Sequence, residues 1–383
     1  MNQPFFSIIL PTKNRPELLR DAMRSVLLQD FSDYELVVSD NFNDIRTKNT
    51  IDEFQDDPHL VRLRTDRELC IPEHWEFAAA HTKGAYTMLL TDRAFLRQGA
   101  LKDIHDSIIE AKNPQVAFWK YGYFDEKKGV LQNETEEEGA QILKSAELIK
   151  NFTTTLDAHF LPRPHLGCYA RPLIEAIRRD AGHLYLPYGP DYTSSLLALT
   201  YSDTVLFIPR PLVFFQGASF SAGTKAQTDI RAYLASLNMP DPYAYLPVKA
   251  PINTSMIFGD IAKVKALAKV NQERIILDWV FYFSVCYQTL MEMGLIWGVE
   301  KGTVKEFWQE WERALREHDA AFQKAVKQAA RRRWGNIAKS YARTTFTGRF
   351  LLWLKRVFAG KPTRRYADAF VAGGFDLSTQ KST

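Results

Sequence analysis

Three polar clusters in the first hundred residues each follow a short apolar run. Pro11-Thr12-Lys13-Asn14-Arg15 follows residues 6–10, Asp40-Asn41 follows 35–39, and Thr91-Asp92-Arg93 follows 86–90. Taken singly, each fits ordinary turn and capping chemistry, Asn14 and Asn41 best of all. Together they bring hydroxyls, carboxylates and guanidinium groups to three strand ends, more than a solvated edge requires. In an open α/β sheet, ligands collect outside the carboxyl ends of the strands. A fourth segment, Gln216-Gly-Ala-Ser-Phe-Ser221, reads either as a flexible loop or as a nest of N–H groups and hydroxyls for phosphate. His74, His159, His165 and His183 show no metal-ligand spacing and read as structural or surface residues. Cys70, Cys168 and Cys286 lack paired spacing, which argues against a disulfide framework or a zinc site.

The elements that must position these clusters alternate. Strands are expected at 6–10, 35–39, 61–64, 86–91, 116–121 and 205–208. Helices are expected at 15–29, 45–54, 73–81, 99–112 and 192–200. In the first helix, Leu18, Leu19, Ala22, Met23, Val26 and Leu27 recur at helical spacing, with Pro16 in the first turn and Asn14 as N-cap. This alternation predicts a mostly parallel sheet covered by helices on both faces. Residues 127–139 are polar and acidic, and 162–172 and 186–190 are proline-rich and irregular. From about residue 225 the pattern becomes helical. Residues 273–299 are long and apolar, but Arg274, Asp278, Ser284, Gln288 and Glu292 form a polar stripe, which points to packing on protein rather than crossing a bilayer. Thr303-Val-Lys-Glu306 has the form of a capping box, opening a helix that carries Val304, Trp308, Trp311, Leu315, Phe322 and Val326 on one stripe.

Two stretches, FSIILPTKNRPELLRDAMRSVLLQDFSDYELVVSDN and WEFAAAHTKGAYTMLLTDRAFLRQGAL, resemble the family 2 glycosyltransferases of bacterial glycan synthesis, which have the GT-A fold. The resemblance spans about residues 5–220, is specific in the first hundred, and does not reach the C-terminal third. It implies a Rossmann-like α/β domain over 1–225; the residue pattern and charge then give a helical region at 226–330 and a basic tail at 331–383. It implies that Pro11, Thr12, Asn14 and Arg15 lie along a nucleotide. Asp40 is similar to the aspartate that bonds the base, and a carboxylate there suits the N3–H of uracil. Arg67 stands where the family often places a base or phosphate contact. Gly189-Pro190-Asp191-Tyr192 resembles the element carrying the catalytic base, so Asp191 is the expected base of an inverting transfer; its other role is to cap the helix at 192–200. Asp157, Asp180 and Asp203 are weaker alternatives, and His165 is a minor candidate on the acceptor side.

The departure from the family lies at Asp92-Arg93-Ala94. The family usually ends this motif in a carboxylate that binds the metal bridging the diphosphate. Alanine stands there, so a Mg²⁺ or Mn²⁺ site, with Asp92 as the remaining carboxylate, is weakened. Arg93 offers a fixed positive charge for the departing diphosphate instead, or else a salt bridge with Asp92 or Asp103.

The chain has 383 residues, 46% hydrophobic and 25% charged, an ordinary globular composition. Its net charge of +4 is unevenly placed: Arg331 to Arg365 holds eleven Lys/Arg and no Asp/Glu. The first 330 residues are therefore net −6. Within the tail, Phe346, Phe350, Leu351, Trp353, Leu354, Val357 and Phe358 share one helical face opposite Arg349, Lys355 and Arg356. That is the pattern of an interfacial helix on an anionic membrane, or of a helix docked on the catalytic domain. No nucleic-acid-binding motif accompanies the charge. The opening residues lack a signal-peptide pattern, so the expected location is cytoplasmic, peripheral at the inner face of the membrane. The expected function is transfer from a UDP-sugar to a glycan or lipid-linked glycan. The alternative is a catalytically reduced GT-A relative that binds nucleotide-sugars or acts as a scaffold.

Overall fold

The first strand divides its side chains between two cores. In the computed structural model, β1 (Phe6–Thr12) is buried along its whole length. Phe6, Ile8 and Leu10 face one core and Ile9 the other, as strand periodicity requires. The structure describes residues 3–343 apart from 43, 126–128, 133, 134, 136, 138, 217–229 and 296–298, and gives 334–343 as backbone only.

The N-terminal elements are α1 (Pro16–Leu27), β2 (Tyr34–Asp40), α2 (Ile45–Asp52), β3 (Leu60–Arg64), α3 (Ile71–Ala80), β4 (Tyr86–Leu89), β5 (Ala94–Leu96) and α4 (Ala100–Glu110). There follow β6 (Val116–Asp125), β7 (Val130–Gln132), β8 (Gln141–Lys144), α5 (Ser145–Thr155), β9 (Gly167–Ala170), α6 (Arg171–Ala181), α7 (Pro190–Thr200) and β10 (Thr204–Phe215). The sheet order is β3-β2-β1-β4-β9-β6-β10-β5. β3, β2, β1 and β4 pair in parallel, and so do β6 and β10. β9 runs antiparallel to both β4 and β6, and β5 and β8 run antiparallel to β10. The sheet is therefore mixed. β9 falls in the segment read as irregular: four residues, GCYA, are too few to show alternation between flanking prolines. β10 runs seven residues past its expected end, with register shifts around Pro211; prolines are tolerated in a strand at such irregularities.

One core joins β1, β2 and β4 to α1 and α4 through Leu19, Met23, Val26, Leu101, Ile104 and Ile108. The other continues from the opposite face of the sheet into the C-terminal helices, from Ile9 and Leu89 to Phe283, Trp311 and Val326. These helices are α8 (Ile230–Ser236), α9 (Asn253–Leu267), α10 (Trp279–Leu295), α11 (Lys301–Arg316) and α12 (Ala320–Arg343).

Three boundaries differ from the sequence reading. The long helix expected at 273–299 begins at Trp279, because Asp278 Oδ1 accepts the Phe281 N–H at 2.9 Å and caps it. α11 opens at Lys301 behind Glu300, so Thr303 lies inside the helix and does not cap it. The stripe from Val304 to Val326 is split between α11 and α12, where Asp319 Oδ1 accepts the Phe322 N–H at 2.8 Å. The polar stripe on α10 does meet protein: Arg333 of α12 donates to Ser284 Oγ at 2.9 Å and to Gln288 Oε1 at 3.0 Å. Among the described residues no helix is long and apolar enough to cross a membrane. The amphipathic segment at 346–358 lies outside the described residues.

Candidate active site

The turn after β1 is fixed by one buried carboxylate. Asp92 Oδ2 accepts from Thr12 Oγ1 at 3.1 Å, and Asp92 Oδ1 accepts from Arg15 Nη1 at 3.1 Å. Burial raises the Asp92 pKa, and the positive charge of Arg15 opposes the rise. Asn14 occupies the left-handed region at φ 55°, and Arg15, not Asn14, is the residue at the N-cap of α1. The left-handed turn swings the chain so that Pro16 can open the helix, and asparagine tolerates that region better than most residues. Pro11, Thr12, Asn14, Arg15, Asp92 and Arg93 all line one crevice of about 800 Å³ at the carboxyl end of the sheet.

At the end of β2, Asp40 lies opposite Thr12 in register. Its Oδ2 accepts from Arg64 Nε at 3.2 Å, while its Oδ1 is buried without a hydrogen-bond partner. Burial raises its pKa, and Arg64 counters this. Parallel pairing of β2 with β3 sets Arg64 directly beside Asp40; that register was not visible in sequence. Asn41 clasps Leu69, donating to its carbonyl at 2.8 Å and accepting its N–H at 2.9 Å. Arg67 points elsewhere, towards Glu73 at 3.6 Å, with 62% of its side chain exposed. His74 lines the crevice and shares a hydrogen bond of 2.9 Å with Ser39 Oγ. Burial pulls its pKa down to about 4, so it is neutral at pH 7.

Arg93 lies over the Phe215 ring, 5.0 Å from its centroid, and Nη1 donates to the Gln216 carbonyl at 3.5 Å. Asp103 is paired instead with Arg97 at 2.5 Å and Arg210 at 3.2 Å. Of the possible phosphate loop only Gln216 lies within the described residues.

Asp191 sits in the first turn of α7, one residue past Pro190, and Gly189 is the N-cap. Burial raises its pKa; the charge of Arg163 and the N–H groups of Asp191 and Tyr192 act against the rise. The approach to α7 is held from the C-terminal helices. Asp260 Oδ2 of α9 accepts the Gly189 N–H at 2.9 Å, and Tyr233 Oη of α8 donates to the Tyr188 carbonyl at 2.8 Å. Tyr188 also bonds Asn253 and has φ 85°. A Cβ on Gly189 would come within 2.8 Å of the Tyr192 ring and 3.0 Å of Asp260 Oδ2. Tyr233 lines the crevice, so one residue touches both the crevice wall and the support of Asp191. The alternative carboxylates have other tasks: Asp203 pairs with Arg274 at 2.6 Å, Asp180 with Arg179 at 2.9 Å, and Asp157 accepts the His159 N–H at 3.0 Å.

The residues at the metal motif do not fit a divalent ion. Both Asp92 oxygens are engaged by Thr12 and Arg15. Ala94 is fully buried as the first residue of β5, paired with Phe215. Among the described residues no three His, Cys, Asp or Glu side chains converge.

A mixed sheet with its crevice at the carboxyl ends, a strand-end aspartate on the first turn and a supported aspartate at a later helix start together agree with the comparisons. Residues 7–170 match the model of Glycosyl transferase family 2. That segment, under half of the chain, is thus similar to a family 2 glycosyltransferase domain. The GalNAc(5)-diNAcBac-PP-undecaprenol beta-1,3-glucosyltransferase of Campylobacter jejuni is 28% identical over 149 residues, 38% of this chain and 46% of that protein. The chain thus matches about half the length of this curated relative. Among solved structures, S. aureus TarS 1-349 in complex with UDP-GlcNAc has a TM-score of 0.54 at 14% identity, over 90% of this chain and 93% of that one. Its complex with UDP gives 0.52 at 13% identity, over the same shares. The fold is therefore of the GT-A kind, with helices added after β10.

Proposed function

We propose that this chain transfers a sugar from a UDP-sugar to a hydroxyl of a glycan or lipid-linked glycan, inverting the anomeric centre. The observation that carries the reading is Asp191: a carboxylate of raised pKa in the first turn of α7, braced through Gly189 and, one residue earlier, through the crevice residue Tyr233. As the acceptor oxygen bonds to the anomeric carbon, its proton passes to Asp191. The bond from that carbon to the phosphate oxygen breaks, and its electron pair leaves with the diphosphate. Arg93 supplies fixed positive charge for that leaving group. Pro11, Thr12, Asn14, Arg15 and Asp92 form the nucleotide wall, and Asp40 meets the base, with Arg64 in place of Arg67 as its neighbouring cation. The printed partners of the relatives support this choice: UDP-GlcNAc and UDP for TarS, and a PP-undecaprenol acceptor in the name of the Campylobacter enzyme. The basic tail, residues 331–383, adds an anionic membrane surface as partner, on the strength of its sequence pattern.

Asp191→Asn keeps the shape and removes the basicity. Turnover is expected to fall about 10²-fold or more while UDP-sugar binding survives. In the wild type, kcat is expected to fall as pH drops through the Asp191 pKa, which burial raises. Near-normal turnover in Asp191→Asn, with that fall retained, would move the base elsewhere. A catalytically reduced relative is the second reading, favoured by the burial of Ala94. It requires nucleotide-sugar binding with no turnover in the wild type.

A further inference from the structure

A second arginine, Arg163, stands at the carboxyl end of the sheet, and its charge also reaches Asp191. The loop before β9 is pinned on both sides: Leu89 N–H donates to the Pro164 carbonyl at 2.9 Å, and Trp119 N–H to the Leu166 carbonyl at 3.0 Å. A tight turn, with Leu166 N–H on the Arg163 carbonyl at 2.7 Å, presents Arg163 beside Tyr121 of β6. Its guanidinium lies 5.7 Å from the centroid of the Tyr121 ring. Tyr121 meets Phe215 edge-on at 5.7 Å, and Phe215 carries Arg93 on its face. The two guanidinium groups therefore flank one aromatic pair. His165 touches the same Phe215 ring at 5.7 Å.

Arg163 Nε is buried without a partner, and the side chain has no ion pair among the described residues. His165 Nδ1 is likewise buried and unpartnered. Both arginines push the His165 pKa down, after burial itself, so both charges reach the same spot. A guanidinium N–H buried without an acceptor is costly, and an anionic oxygen of a ligand would satisfy it. The misfit at Asp92-Arg93-Ala94 removes the usual source of two positive charges. One arginine replaces only half of a divalent ion; two replace it fully.

We propose that Arg163 and Arg93 together form a metal-independent site for the terminal phosphate of the nucleoside diphosphate. The inference rests on the reading of the chain as a nucleotide-sugar transferase. It adds no bond to the reaction. The breaking bond is still that from the anomeric carbon to the phosphate oxygen, and the two guanidinium groups take up the charge on that oxygen.

The test is calorimetric titration of the full chain with UDP and with UMP, both in EDTA. UMP lacks the terminal phosphate. The wild type is expected to bind UDP more tightly than UMP. Arg163→Gln should weaken UDP by about tenfold or more and leave UMP unchanged, and Arg163→Lys should recover part of the loss. The melting temperature of free Arg163→Gln should hold or rise, since a buried N–H without an acceptor is gone; a structural role would lower it. An unchanged UDP-to-UMP ratio in Arg163→Gln overturns the proposal, as does a preference for UDP that appears only with Mn²⁺. A raised acceptor KM with intact UDP affinity also overturns it, by placing Arg163 on the acceptor. Failure of the wild type to bind either nucleotide would instead defeat the underlying assignment of the donor.

Discussion

Asp40 and Asp92 are both buried carboxylates at strand ends, yet they are poised differently. Asp92 has both oxygens occupied, whereas Asp40 keeps Oδ1 buried without a partner. An orphaned acceptor is costly until something donates to it, and the N3–H of uracil is such a donor. Asp40→Ala is therefore expected to weaken UDP by roughly 1–3 kcal/mol, measured by calorimetry; unchanged affinity would remove Asp40 from the base. At this scale the sequence was legible where function is local. Thr12, Arg15 and Asp92 each follow an apolar run, and the structure joins all three by hydrogen bonds. Arg64 and Arg163 were not legible, because their neighbours are set by strand register and by a loop pinned between two strands. Arg67 was singled out for its position along the chain alone; it lies three residues past β3 and reaches Glu73.

Among elements, the first strands and helices were readable because buried strands and amphipathic helices repeat over enough residues to be counted. β9 has four residues, so periodicity says little about it, whereas α7 was read at 192–200 although it is buried on nearly every side. The Thr303–Glu306 pattern misled because a capping box specifies residue types, whereas the helix start was decided by the chain entering at Glu300. The support of α7 is the element-scale feature with the sharpest consequence. Asp260→Ala removes the acceptor for the Gly189 N–H, leaving a buried donor without a partner at a cost of about 1–3 kcal/mol. We expect a lower melting temperature and a lower kcat, with UDP affinity retained and partial rescue by Asp260→Asn. Retention of full kcat in Asp260→Ala would show that α7 holds Asp191 without help from α9.

At the scale of the molecule, the C-terminal helices extend the same core that covers one face of the sheet. The basic tail begins inside that arrangement, since Arg333 is bonded to α10. Removing residues 344–383 should release the protein from anionic liposomes while leaving its melting temperature intact; each cation near such a surface contributes on the order of 1 kcal/mol. Removing 331–383 should also destabilise the fold. Co-sedimentation and thermal melts separate these outcomes, and persistent liposome binding without 344–383 would refute the membrane role. The order of the strands has one more consequence. The family match ends at residue 170, but β6 finds its parallel neighbour only in β10, more than thirty residues later. A fragment cut at the family boundary would expose β6 as a long, apolar edge with unpaired amides, a template for aggregation. The recognisable segment is thus smaller than the unit that folds, and soluble expression will require the chain to run at least through β10.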